Sequence, residues 1–253
     1  MKCRYPNWNV YPFNCKSYAG SVLVGAGSTG FASEHNIDRY SEKLFHSILS
    51  KNLIHSARDD RSKRILENMG FQALNTGCPT TWFLTGEFCK TINKNKSDRV
   101  VFTFTDYLTD RKYDHLLIDR LRKLYEEVYF WPQGSKDYDY LMTLKNTDTI
   151  AVIPPNICAY SELLGSGNID YIGTRLHGGL FAMQHKVRAM IIGVDNRAKD
   201  MVETHNINYI AREQIEGLEE IVNSTFETNV DIPVLAIQKW KEQFAGKESL
   251  LLC

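Results

Sequence analysis

Several common signatures are missing from this 253-residue sequence. Its six cysteines (Cys3, Cys15, Cys78, Cys89, Cys158, Cys253) stand apart, with no Cys-x-x-Cys pair and no His-x-x-x-His spacing beside them. That argues against a zinc site or a disulfide framework and for reduced, structural thiols. Net charge is also missing, since 30 Lys and Arg cancel 30 Asp and Glu. No broad field attracts nucleic acid or anionic lipid, so an anionic ligand must be held by a local cluster. No stretch approaches the roughly 18 unbroken apolar residues of a membrane span, and the opening MKCRYPNWNVYPFN has no apolar core like that of a signal peptide. The expectation is a cytoplasmic protein, free to work at the inner face of a membrane.

What is present is alternation. SVLVGAG, NLIHSARD and QALNTG read as strands, with NIDRYSEKLFHSILS and RSKRILENMGF as helices between them. Such alternation implies βαβ units and a parallel sheet. In RSKRILENMGF, Ile65, Leu66 and Met69 share a helical face, the start is expected at Asp59 or Asp60, and Gly70 stands where a helix ends. The polar segment KTINKNKSD (90–98) reads as a linker, after which alternation resumes through RVVFTFTD, DHLLIDRLRKLYEEV, YFWPQG, TDTIAVIP, CAYSELLGSGN, IDYIGT, LHGGLFAMQH and RAMIIGVD. The expected organisation is a short N-terminal α/β domain (1–95), a more complete Rossmann-like domain (96–230), and a final amphipathic helix with its tail (231–253).

Gly25, Gly27 and Gly30 have the Gly-x-Gly-x-x-Gly spacing of a dinucleotide turn. That reading also requires a helix starting at once and an acid closing the second strand. FASEHNIDRY after the loop is polar and irregular, and the acid, Asp59, follows Arg58 far downstream. The loop is therefore expected to be a turn at a strand end lining the wall of a cleft, with no nicotinamide cofactor, or any other, bound there.

The strongest chemical signal is IDYIGTRLHGGLFAMQHKVRAMIIGVDNRAKD. A strand ends at Thr174, Arg175 and His177 follow, and a helix begins. Residues so placed face the crevice in which α/β proteins bind ligands, where a helix N-terminus favours negative charge. Arg175 could offer a bidentate guanidinium to phosphate or carboxylate, with His177 as a proton donor. Asn196, Arg197 and Lys199 close the next strand, and Arg58 closes a strand of the first half. The alternative left open is structural: Arg175 and Arg197 paired with acids such as Asp170 and Asp195, Arg58 with Asp59 or Asp60, and His177 capping a helix. Asp106, Gln133 and Asp137 also follow strands and are expected to face the crevice or, equally well, to serve as turn or cap residues. Cys78 has no basic partner nearby in sequence, which argues against a nucleophile, and no histidine spacing suggests a metal.

Taken in order, HSARDDRSKRILENMGF, NTGCPTTWFL, TFTDY, YFWPQG, DYIGTRLHGGL and IIGVDNRAKD resemble the motif series of the polysaccharide pyruvyl transferases, over residues 20–215. The resemblance implies two Rossmann-like domains facing a cleft, similar to the glycosyltransferase-B type, with the first domain short. It implies transfer of a pyruvyl group from phosphoenolpyruvate to two hydroxyls of a sugar, on a polysaccharide or its lipid-linked precursor. It places Arg58, Arg175, Leu176 and His177 at the donor, with His177 catalytic, and makes any membrane association peripheral, through the acceptor. The Asn/Gly-Asp segment that the family commonly carries after its first strand is not found here. Two other readings remain open: a nucleotide-sugar-dependent glycosyltransferase of the B type, and a non-catalytic protein that binds anions or glycans.

Overall fold

The computed structural model describes residues 10–28, 37–194 and 204–245. The chain divides into two compact units, Met1–Trp82 with Ile232–Cys253, and Phe83–Asp231.

In the first unit, α1 (Arg39–Ile48) starts on Asp38, whose carboxylate accepts from the backbone of Tyr40 and Ser41. β1 (His55–Ala57), α2 (Asp60–Asn68) and β2 (Ala73–Asn75) form one right-sized βαβ step, with the strands parallel and His55 opposite Ala73. Asp59 caps α2 by accepting from Ser62 N at 2.7 Å. The other end closes on Gly70 at φ +82°, where Gly70 N donates to Glu67 O and Phe71 N to Leu66 O. That pair of bonds needs a left-handed residue, which glycine adopts without a Cβ penalty. Leu66 and Phe71 then meet in a core that also holds Ile48, Leu49, Ala57 and Ile65.

The expected strand SVLVGAG does not form as a strand. It runs beside β1 but makes only two isolated bridges, Ser21 to Leu49 and Ala26 to Ala57. The reason is local: Gly25 takes φ +57°, and two backbone donors bond side chains instead of a ladder. Leu23 N donates to His55 Nδ1 at 3.1 Å and Gly25 N to Ser56 Oγ at 2.7 Å.

The second unit is a six-stranded parallel sheet of β3 (Arg99–Thr103), β4 (Glu127–Phe130), β5 (Ala151–Val152), β6 (Ile169–Gly173), β7 (Ala189–Gly193) and β8 (Tyr209–Ala211). Helices α3 (Gly86–Cys89), α4 (Arg111–Leu124), α5 (Asp137–Met142), α6 (Ile157–Gly165), α7 (Leu176–Gln184) and α8 (Leu218–Asn223) belong to the same unit. The order across the sheet is β5-β4-β3-β6-β7-β8. The chain winds outward from β3 to β5, returns to β6 on the other side of β3, and continues outward. Such a reversal opens a crevice at the carboxyl ends of the two central strands, here β3 and β6. Val100, Phe102, Leu117, Ile118, Leu121, Phe130, Ile172 and Ile192 fill the core on one face of that sheet.

Residues 90–98 pack onto this unit: Ile92 is buried and Asn93 N donates to Lys186 O. The final helix α9 (Val234–Glu242) belongs to the first unit, where Trp240 lies 5.6 Å from Trp82 and Gln243 bonds both backbone groups of Ile54. Among the described residues, no helix is long and apolar enough to cross a membrane.

Candidate functional site

The carboxyl end of β6 is built around one tyrosine. Tyr171 is fully buried, and burial pushes its hydroxyl pKa well up, so it stays protonated. The hydroxyl donates to Arg175 O at 2.7 Å and lies 2.7 Å from Thr103 Oγ1, which accepts from Arg175 N at 3.2 Å. A tyrosine has one proton to give, so Thr103 donates to Tyr171, and the three groups form a closed ring of hydrogen bonds around residue 175. Three glycines make room for this ring: a Cβ on Gly173, Gly178 or Gly179 would crowd Tyr171 at 2.9, 3.1 and 2.8 Å. The glycines of the RLHGG turn thus admit a packed aromatic ring.

Arg175 precedes α7 as its N-cap residue. Its Nε donates to Phe104 O at 3.0 Å, and its Nη2 meets Asp137 Oδ1 at 2.5 Å and Asp106 Oδ1 at 3.3 Å. The ring of Tyr107 lies 5.3 Å from Cζ. These bonds take up the edge formed by Nε and Nη2, so that edge is engaged within the protein. The structural alternative holds for Arg175 in that it is ion-paired, though not with the acids offered as examples. Asp170 pairs with Arg188 at 3.0 Å in the core and accepts from Tyr125, and Asp195 lies outside the described residues. Arg175 is indeed ion-paired, but with the acids at the ends of β3 and β4.

Asp137 organises this rim. Fully buried at the start of α5, it accepts from Arg175 and Asp106 N through Oδ1, and from Gln133 N (3.0 Å) and Gly134 N (2.7 Å) through Oδ2. A Cβ on Gly134 would come within 2.8 Å of Arg175 Nη2. Asp106, with a quarter of its side chain exposed, is the more accessible of the two carboxylates. Gln133 reaches α7, since a Cβ on Gly178 would lie 2.8 Å from its Nε2. The other side of α7 is held by Tyr160, which donates to Gly178 O at 2.9 Å and stacks on Trp131 with centroids 3.7 Å apart. Leu176 and His177 form the first turn of α7, with the His177 side chain exposed. Arg175, Leu176, His177, Asp106 and Gln133 therefore come together at the reversal point of the sheet. Asn196, Arg197 and Lys199 lie outside the described residues.

In the first unit, Arg58 follows β1 and donates its backbone N–H to Ala26 O. Its guanidinium lies over Gly27, where any Cβ would fall inside the contact radius of Nη2 and Cζ. The ion pair with Asp59 is long, at 3.8 Å, and Asp59 spends its other oxygen capping α2. Gly25 lies against the ring of Pro79, again with no room for a Cβ. Beneath the loop, Ser56 Oγ joins Thr76 Oγ1 at 2.6 Å. His55 fixes the segment from the other side. Its Nδ1 accepts from Leu23 N, so its Nε2 must carry the proton donated to Ser50 O at 2.9 Å, and burial lowers its pKa. The loop is a seat for the Arg58 guanidinium.

Sequence reasoning left Asp137 among the turn residues and did not single out Tyr171. Asp137 stands at a helix start, where Asp is commonplace, and a strand tyrosine reads as core. Only the three glycines spaced around Tyr171 hint at its ring. Among the described residues, no three His, Cys, Asp or Glu side chains gather as ligands for a metal ion.

The model of the polysaccharide pyruvyl transferase family matches residues 7–196. No functionally curated protein matches the chain by sequence. Among solved structures, the UDP-GlcNAc 2-epimerase of Methanocaldococcus jannaschii is similar at 15% identity and a TM-score of 0.55, over 89% of this chain and 69% of that one. Its complex with UDP-GlcNAc and UDP is similar at 14% identity and a TM-score of 0.53, over 91% of this chain and 70% of that one. At such identity the likeness concerns the fold alone, α/β and of the glycosyltransferase-B kind.

Proposed function

The chain belongs to the polysaccharide pyruvyl transferase family, and from that premise we propose that it moves a pyruvyl group from phosphoenolpyruvate to two hydroxyls of a sugar, closing a cyclic ketal and releasing phosphate. The observation that carries this reading is Arg175 held at the sheet reversal with His177 in the first turn of the adjoining helix. Phosphoenolpyruvate carries a phosphate and a carboxylate, and an arginine fixed in place before the ligand arrives meets an oxyanion at little cost in side-chain ordering.

In the proposed reaction, His177 as imidazolium donates its proton to the methylene carbon of phosphoenolpyruvate. The central carbon then carries the developing positive charge, and the oxygen of a sugar hydroxyl bonds to it as that hydroxyl loses its proton. The bond to phosphate breaks with its electron pair and a second hydroxyl closes the ring; of the two hydroxyl protons, one restores the imidazolium of His177 and the other leaves with the phosphate. Arg175 offers Nη1 to an oxyanion of the donor. Leu176 lines the same turn. Arg58 stands in the family's other arginine motif, and its substitution tests that assignment on the first unit by itself. The acceptor is a sugar of a polysaccharide or of its lipid-linked precursor, as in exopolysaccharide or cell-envelope assembly, and the work is placed in the cytoplasm.

The test is phosphate release from phosphoenolpyruvate in the presence of a soluble or lipid-linked glycan. His177→Gln is expected to lower kcat by about 10² to 10⁴ fold while donor binding persists, the usual range for losing a general acid. Full activity in that variant would remove His177 from the proton step.

A further inference from the structure

Two buried polar atoms at the sheet reversal have no partner in the protein: Oγ1 of Thr105, whose residue is 1% exposed, and Nε1 of Trp131, at 6%. Their neighbours are fully bonded. Thr103 Oγ1, on the last residue of β3 and two residues before Thr105, serves both Tyr171 and Arg175 N. Thr105 itself stands between Phe104, whose carbonyl accepts from Arg175 Nε, and Asp106, whose carboxylate meets Arg175 Nη2. Trp131 follows directly on β4, beside β3, and stacks on the tyrosine that holds the first turn of α7.

A buried donor without an acceptor is costly, and native proteins rarely keep one unless something else completes it. An indole N–H can only donate, so its missing partner must be an acceptor. Arg175, at the end of β6, has Nε and Nη2 engaged by Phe104 O, Asp106 and Asp137, so that edge of its guanidinium is already spent within the protein. We propose that Thr105 and Trp131 are ligand contacts of this site: their Oγ1 and Nε1 hydrogen-bond an oxyanion, carboxylate or phosphate, that also meets Arg175. The inference deepens the donor reading above and rests on it for the identity of the ligand.

Two nearly isosteric changes test it. Thr105→Val removes the hydroxyl, and Trp131→Phe removes the N–H while keeping a ring to stack on Tyr160. Each deletes an unpartnered buried group, so each variant is expected to melt at or above the wild-type temperature. Each is also expected to bind the ligand about 10-fold more weakly, the usual loss for a hydrogen bond to a charged group. Binding is measured by titration with phosphoenolpyruvate, inorganic phosphate, pyruvate and UDP, and the indole N–H resonance of Trp131 is followed in ¹⁵N-labelled wild type. Weaker phosphoenolpyruvate binding by both variants, with a moved Trp131 resonance, supports the assignment, and the phosphate and pyruvate arms tell which anionic group is held. If phosphoenolpyruvate leaves the wild type unchanged while another of the four binds and the variants weaken it, the contacts stand and the donor reading falls. If both variants bind phosphoenolpyruvate as the wild type does, the contacts fall and the donor reading is untouched. A Trp131 resonance that none of the four ligands moves also overturns the assignment.

Discussion

Removing the guanidinium of Arg175 would leave the buried carboxylate of Asp137 without the cation it pairs with. Breaking a buried pair from one side typically costs about 3–5 kcal/mol, so Arg175→Ala is expected to destabilise the second unit by that order in denaturant titration. Arg175→Lys is the sharper probe. It keeps a positive charge for Asp137 but loses the planar fork that spans Phe104 O and two carboxylates. It is expected to retain most of the stability and to bind phosphoenolpyruvate weakly, which calorimetric titration measures. Arg175 and His177 could be picked out as candidates from residue type and position alone, because both follow a strand and stand beside a helix N-terminus. Asp137 could not, since its importance lies in partners contributed by the ends of β3 and β6.

At the scale of elements, the first turn of α7 is set by packing around Tyr171 and Tyr160. Gly179→Ala would push a methyl against the Tyr171 ring, and overpacking of this kind costs about 1–3 kcal/mol. The variant is expected to unfold earlier and to lose activity together with the Arg175 geometry. The segment 21–27 shows the converse. Its apolar residues read as a strand, yet Gly25 in the left-handed region and the donors taken by His55 and Ser56 turn it into a loop carrying Arg58. Gly25→Ala combines that backbone conformation with a collision at Pro79. Positive φ alone costs a non-glycine residue about 1–3 kcal/mol, so a lower melting temperature is expected. Helices α1, α2, α4, α6 and α7 were legible from apolar spacing and caps. The short α5 and β8 were not, because too few residues carry their period.

For the molecule as a whole, acid should weaken the first unit. His55 is held neutral by accepting from Leu23 N, and burial lowers its pKa in the folded chain. The unfolded chain takes up a proton near the ordinary histidine value, about 6.5, while the folded chain resists it. The His55 contribution is therefore complete above that pH and is lost as pH falls from it toward the lowered folded value. Melting curves between pH 7.5 and 5 should show the decline, and His55→Gln should flatten it. By itself the sequence determined that parallel βαβ units would form, where the main helices run, and that Arg58 and Arg175 follow strands, because these depend on local periodicity and on turn residues close in the chain. Tertiary structure decided the strand order that puts Thr103 beside Gly173, the return of α9 to Trp82, and the pairing of Arg175 with Asp106 and Asp137. Those depend on contacts between residues far apart in sequence, which no local pattern records.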